Sequence, residues 1–246
     1  MTNIWPAKLI PLNIFESIAN IRIDSIYAQP DHYENIFKEP LYHPDALLSL
    51  DVEMAKVVLL AADILKAAKG WRLRVTDGLR PIEAQAAMRE TKVVKEHLYW
   101  LEEPQMLSNP GQGGHPRGFA VDVAPELPDG TPIDMGTKVD EMFEAGAENR
   151  AARDYTKISP EIIGNRALLE AVMQQAATKL DFPLFPLPQE WWDYRIPADL
   201  SNQRDAFSEK HLPGYLRVMD YRPPTSADIA AMEKDAQKIM EDLRKL

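Results

Sequence analysis

The chain has no cysteine among its 246 residues, so neither a disulfide nor a thiolate metal site can form. Any metal must therefore sit on histidine, carboxylate, carbonyl or water. Long hydrophobic runs are missing as well. Met1 to Glu16 carries one lysine with prolines at Pro6 and Pro11, which is not a signal-peptide pattern, and no apolar run approaches membrane-spanning length. A cytoplasmic location is the expectation. Positive charge is scarce too: Lys and Arg number 28 against 38 Asp and Glu, a formal net charge of -10. That balance argues against nucleic acid or an anionic membrane as partner. Repeats, low-complexity segments and linkers are also lacking. What is present is ordinary globular composition, 45% hydrophobic and 27% charged, in a chain long enough for a substantial core.

Residues 1–20 mix apolar side chains with prolines and are expected to wrap the domain surface. Ile21 to Tyr27 alternates apolar and polar residues, the period of a half-buried strand. Asp51 to Lys69 is rich in helix formers, and Gly70 stands where a glycine cap belongs. Trp71 to Thr76 alternates again and closes on Asp77-Gly78. Pro81 fits the first turn of a second helix reaching about Glu102. Glu103 to Gly114 has two prolines and three glycines, the composition of a mobile loop. Phe119 to Val123 predicts a short strand, followed by a turn at Pro128 to Thr131. Ser159 and Pro160 open a helix to about Lys179. Phe182 to Pro188 holds three prolines and leads rigidly into Glu190-Trp191-Trp192-Asp193-Tyr194. Ser226 to Leu246 is an amphipathic helix, docked on its own domain or serving a dimer contact. The interleaving predicts a single α+β unit around a mostly antiparallel sheet flanked by helices.

Three stretches carry chemistry: Thr76 to Pro81, Gly113 to Asp122, and Glu190 to Tyr194. His115 is a good metal ligand, with the carboxylate of Asp122 seven residues later. On a straight strand that offset puts the two on opposite faces, so a bend at Pro116-Arg117-Gly118 is required for both to meet one ion. Glu190 and Asp193, three apart, meet on a helical turn and diverge on a strand. Taken singly, each stretch also reads as ordinary packing with solvated charges.

Together they resemble the zinc D-alanyl-D-alanine dipeptidases, the group that includes the vancomycin-resistance dipeptidases. Gly113 followed by Gly-His-Pro-Arg-Gly-Phe-Ala-Val-Asp (114–122) is similar to that family's Ser-x-His-x-x-Gly-x-Ala-x-Asp. Asp77 to Pro81 looks like its Asp-Gly-x-Arg-Pro, and Met135 to Asp140 like its Met-Gly-x-x-Phe-Asp. Asn165-Arg166-x-Leu168-Leu169 and Glu190-Trp191-Trp192 follow in the same order, so the likeness runs from about Ile21 to Ile196. The resemblance implies one metallopeptidase domain over 1–246, with a zinc ion per chain on the sheet and a small dipeptide as substrate. By it, His115 and Asp122 are ligands, Glu190 the general base, and Arg80 the oxyanion stabiliser. Asp140 then holds the substrate ammonium group, and Trp191 lies beside the substrate.

Two positions depart from the family. Its third ligand is histidine, where this chain has Asp193. Asp193 can still ligate, His211 can supply the ligand instead, or the site is degraded and the protein binds without hydrolysing. Two carboxylates and an imidazole formally cancel a divalent ion, so such a centre acidifies water less and binds harder ions such as manganese or iron relatively better, with zinc still the expected metal. Gly113 replaces a serine that the resemblance places near the substrate amino end, so room for a different amino-terminal residue is expected there.

Overall fold

The computed structural model describes residues 8–103 and 105–246. Residues 1–7, part of the stretch expected to wrap the surface, lie outside the described residues. In chain order the elements are β1 (Leu9–Pro11), β2 (Ile21–Ile23), β3 (Ser49–Asp51), α1 (Val52–Lys69), β4 (Arg72–Asp77), α2 (Ile82–Glu90), α3 (Lys92–Glu96), β5 (Ala120–Glu126), α4 (Pro160–Lys179), β6 (Phe185–Pro186), β7 (Asp193–Arg195), α5 (Ala198–Ser201) and α6 (Ser226–Leu243). Five strands form the central sheet in the order β2-β4-β5-β7-β6, and β1 pairs with β3 beside it. Only β2 and β4 run parallel; the other pairings are antiparallel. This is the expected α+β architecture.

Helix α1 starts and stops where its sequence says it should. The Asp51 side chain accepts from the Glu53 backbone N–H at 3.0 Å, and Gly70 closes the helix at φ 70°. One face of the sheet carries Leu73, Val75, Val121 and Val123, all fully buried, and α1 packs against both β4 and α4. That burial is the main source of stability. The C-terminal α6 begins with a capping box between Thr225 and Asp228. Its buried Ala236, Ile239, Met240 and Leu243 join the main core, so this apolar face is spent on its own chain. No helix among the described residues is long and apolar enough to cross a membrane.

Two expectations change. The helix from Pro81 breaks at Thr91, which adopts an extended conformation; its hydroxyl donates to the Met88 carbonyl and caps the Val94 N–H. The segment ends in a 3-10 turn at Leu98–Leu101. The first strand stops at Ile23, because residues 26–28 coil into another 3-10 turn that buries Tyr27. The glycine-rich stretch before His115 is irregular but fastened. Arg117 Nη1 donates to the Gly111 and Gly113 carbonyls at 2.8 Å, Gln85 bonds both Gly111 and Gln112, and Arg89 reaches Leu107.

Candidate active site

A β-bulge sets the site. Val75 lies opposite Val123, yet Asp77 lies opposite Asp122, so Thr76 is the extra residue. Without it, Asp77 would share the apolar face of Leu73 and Val75; the bulge turns it over to the face of Asp122. On the far side of β5, Asp122 is in register with Asp193. Three aspartates thus stand in line across β4, β5 and β7, all of them buried.

His115 reaches this row because the chain bends where the sequence required it. Residues 115–117 form a 3-10 turn that ends at Gly118 in the left-handed region, φ 71°. A Cβ at Gly118 would come within 2.9 Å of Leu9, so the tight approach also needs glycine. The Nδ1 of His115 lies 2.8 Å from the Gly78 carbonyl. A carbonyl only accepts, so Nδ1 holds the proton and Nε2 is left facing Asp193 Oδ2 at 3.3 Å and Asp122 Oδ1 at 3.5 Å.

Asp77, His115 and Asp122 offer ligand atoms that all lie within 4.8 Å of one another, a group able to hold a metal ion. The oxygens of Asp77 are already engaged, however. Oδ1 accepts from Tyr42 at 2.9 Å, and Oδ2 accepts from Arg80 Nε at 2.8 Å. Asp77 also faces the Nδ1 side of the imidazole, at 3.5 Å. The buried Asp122 Oδ1, by contrast, has no hydrogen-bond partner among the described residues. Asp193 Oδ2, 3.3 Å from Nε2, is likewise engaged, by Arg195 Nη2, so the group able to hold an ion is Asp77, His115 and Asp122, with Asp193 beside it.

Electrostatics point the same way. Burial alone would push His115 down, but the Asp122 carboxylate overrides it and the imidazole rises to about 10. Burial raises Asp122 despite His115 beside it. Glu190, half-buried in the turn before β7, is pushed up to about 8 by burial and by the Asp193 charge. Burial and Asp122 lift Asp140 to about 7, with Arg80 opposing. Asp193 goes the other way. Burial would raise it, but the Arg195 guanidinium holds it well below the usual carboxylate range. These groups line one cleft of about 360 Å³.

The cleft brings together Arg80, His115, Asp122, Asp140, Glu190 and Asp193. Tyr27 links two of them, bonding the Asp140 carboxylate and accepting from Arg80 at 3.3 Å. Trp191 is not among them. Its indole N–H donates to Thr137 Oγ1 at 2.7 Å on another surface, and Trp192 takes the cleft position because successive side chains alternate. His211 is exposed and outside the cleft, so it supplies no third ligand. At Gly113, which lines the cleft, there is room for a small group in ordinary contact. A Cβ there would meet Arg195 Nη1 at 3.7 Å and Ser108 Oγ at 3.9 Å. Sequence reasoning missed Tyr27 and Arg195. The second was within reach, since Asp193 and Arg195 are two apart on a strand and share a face. Asp193 and Arg195 pair through Nε at 2.7 Å and also through Nη2. Centre neutrality fails for this reason: a cation sits on the extra carboxylate.

The family Peptidase_M15, D-ala-D-ala dipeptidase, matches residues 7–211. The chain belongs to that peptidase family. It is similar to the D-alanyl-D-alanine dipeptidase of Escherichia coli (strain K12), 28% identical over 162 residues that cover 65% of this chain and 69% of that protein.

Proposed function

We infer that this protein is a metal-dependent dipeptidase of a single domain, hydrolysing D-alanyl-D-alanine or a related D-configured dipeptide. The observation that carries the reading is the buried group of Asp77, His115 and Asp122, with the orphaned Asp122 Oδ1 at its edge and Asp193 Oδ2 3.3 Å from His115 Nε2, at one cleft. Zinc is the expected ion. With Arg195 counted, His115, Asp122 and the Asp193–Arg195 pair carry one net negative charge, as two imidazoles and one carboxylate would. Manganese or iron therefore gains no electrostatic preference from Asp193. A divalent ion held there would supply Lewis acidity to the scissile carbonyl and to water.

The side chains do the rest. Glu190, with its raised affinity for a proton, takes one from the attacking water and returns it to the leaving amine. Arg80, fixed by Asp77 and lying over the Tyr27 ring, presents positive charge where the oxyanion develops. Asp140, held by Tyr27 at φ 57°, receives the substrate ammonium group and selects a free amino terminus. A second reading, binding without hydrolysis, is favoured by the grip of Arg195 on Asp193.

Alanine release from D-alanyl-D-alanine, measured with and without a chelator after zinc loading, separates the two. Chelator-sensitive release with one bound ion per chain supports the enzyme; bound ion without release from any D-configured dipeptide supports the second reading.

A further inference from the structure

Arg195 is tied to Asp193 by one edge only. Nε and Nη2 face the carboxylate, while Nη1 makes no hydrogen bond among the described residues. The side chain is 19% exposed and lines the cleft. Its Nη1 is turned toward Gly113 and Ser108, also cleft residues, where a Cβ at 113 would lie 3.7 Å from it. Gly113 itself has φ 83°, which glycine adopts without strain. A pair serving only to balance charge has no need of an open flank with two free N–H donors in a substrate cleft. A guanidinium with such a flank is a carboxylate receptor.

Its place along the cleft fits one end of a dipeptide. Arg80, Tyr27 and Asp140 cluster beside β4, His115 and Asp122 belong to the middle at β5, and Arg195 projects from β7. Neighbouring strands are about 4.8 Å apart, so β4 and β7 are separated by about 10 Å. A two-residue chain extends about 7 Å, and hydrogen bonds at both ends add the remainder. The scissile bond then lies over β5.

We propose that Arg195 is a specificity-determining residue that receives the substrate's C-terminal carboxylate on Nη1, while Asp140 holds the amine. The two anchors together measure out a dipeptide. This rests on the dipeptidase reading and adds to it a residue that can be tested separately.

The experiment compares kcat/KM for D-alanyl-D-alanine with that for its C-terminal amide, in the wild type and in Arg195→Gln and Arg195→Lys. A charge-assisted bond gives the wild type a preference of about 10- to 100-fold for the free carboxylate. Arg195→Gln brings that ratio near one, and Arg195→Lys restores part of it. Looser metal binding in a variant lowers both substrates alike and leaves the ratio intact. A wild-type ratio persisting in Arg195→Gln overturns the proposal. So does an Arg195-dependent gain seen only with an aspartyl side chain on the amide, which would mean the guanidinium reads a side chain. If no substrate is turned over, the dipeptidase reading falls, and the same ratio is read as dissociation constants by calorimetry.

Discussion

One face of the central sheet carries two clusters of charge, at opposite ends of the same strands. At the end where β4 begins, Arg22, Arg72 and Arg74 meet Asp24, Glu34 and Glu126. Glu126 lies 2.7 Å from Arg22 and 2.6 Å from Arg72, while Arg74 lies 2.7 Å from Glu34 and 3.0 Å from Asp24. Three guanidiniums face three carboxylates, and each carboxylate has its cation. At the other end, Asp77, Asp122, Asp140, Glu190 and Asp193 face only Arg80, Arg195 and the imidazole of His115. There, among the described residues, the carboxylates outnumber the fixed cations. Chain chemistry is alike at the two ends, but only one is closed. A balanced cluster holds a sheet together; an unbalanced one, kept buried, is a place for an external cation.

The comparison breaks most sharply through activity. Glu190→Gln is expected to lower kcat by about 10²- to 10⁴-fold while bound metal stays as it was and melting temperature does not fall, checked by steady-state kinetics, metal analysis and calorimetry. Next come substitutions on one strand, one in each cluster. Glu126→Gln leaves two guanidiniums without their shared partner and costs about 2–3 kcal/mol, below the full buried-pair cost because both reach solvent. Asp122→Asn abolishes metal binding, read by metal analysis, and lowers the proton affinity of His115, read by NMR titration.

The pH dependence follows from the same imbalance. Glu190 near 8, Asp140 near 7 and His115 near 10 all bind protons more tightly folded than unfolded. Their contribution is complete at low pH and is lost as pH rises through those values, whereas the depressed Asp193 acts only below the ordinary carboxylate range. The metal-free protein should therefore melt at lower temperature as pH rises from about 5 to about 9, and the rise in melting temperature on adding zinc should grow over the same window. The smallest effect is at the rim of the cleft. Gly113→Ser forces a left-handed backbone on a side chain and costs about 1 kcal/mol, read by urea unfolding.

Much of this was legible in the residues. The caps of α1 and α4, the need for a bend after His115, and the order of the motifs are local signals, and the caps and the bend are present in the fold. What escaped was long-range. The turning of Asp77 into the site depends on a bulge that shows only when β4 is laid against β5. The fate of Asp193 depended on Arg195, whose role emerges only once residues 193–195 are known to be a strand rather than a helical turn. Trp191 was preferred to Trp192 because a motif gives order without giving the side each ring faces. The loop before His115 also has ties its composition does not show: Arg117, Arg89 and Gln85 bond to it from outside.

The row of Asp77, Asp122 and Asp193 also has a kinetic meaning. Its members come from strands far apart in the chain, and β7 must dock on β5 before the third carboxylate arrives. Closure of such distant contacts is the slow part of assembling a sheet, and no ion can grip the full row ahead of it. Bound metal should then leave the refolding rate unchanged and act wholly by slowing unfolding, so that the ion works as a latch set after the sheet has closed.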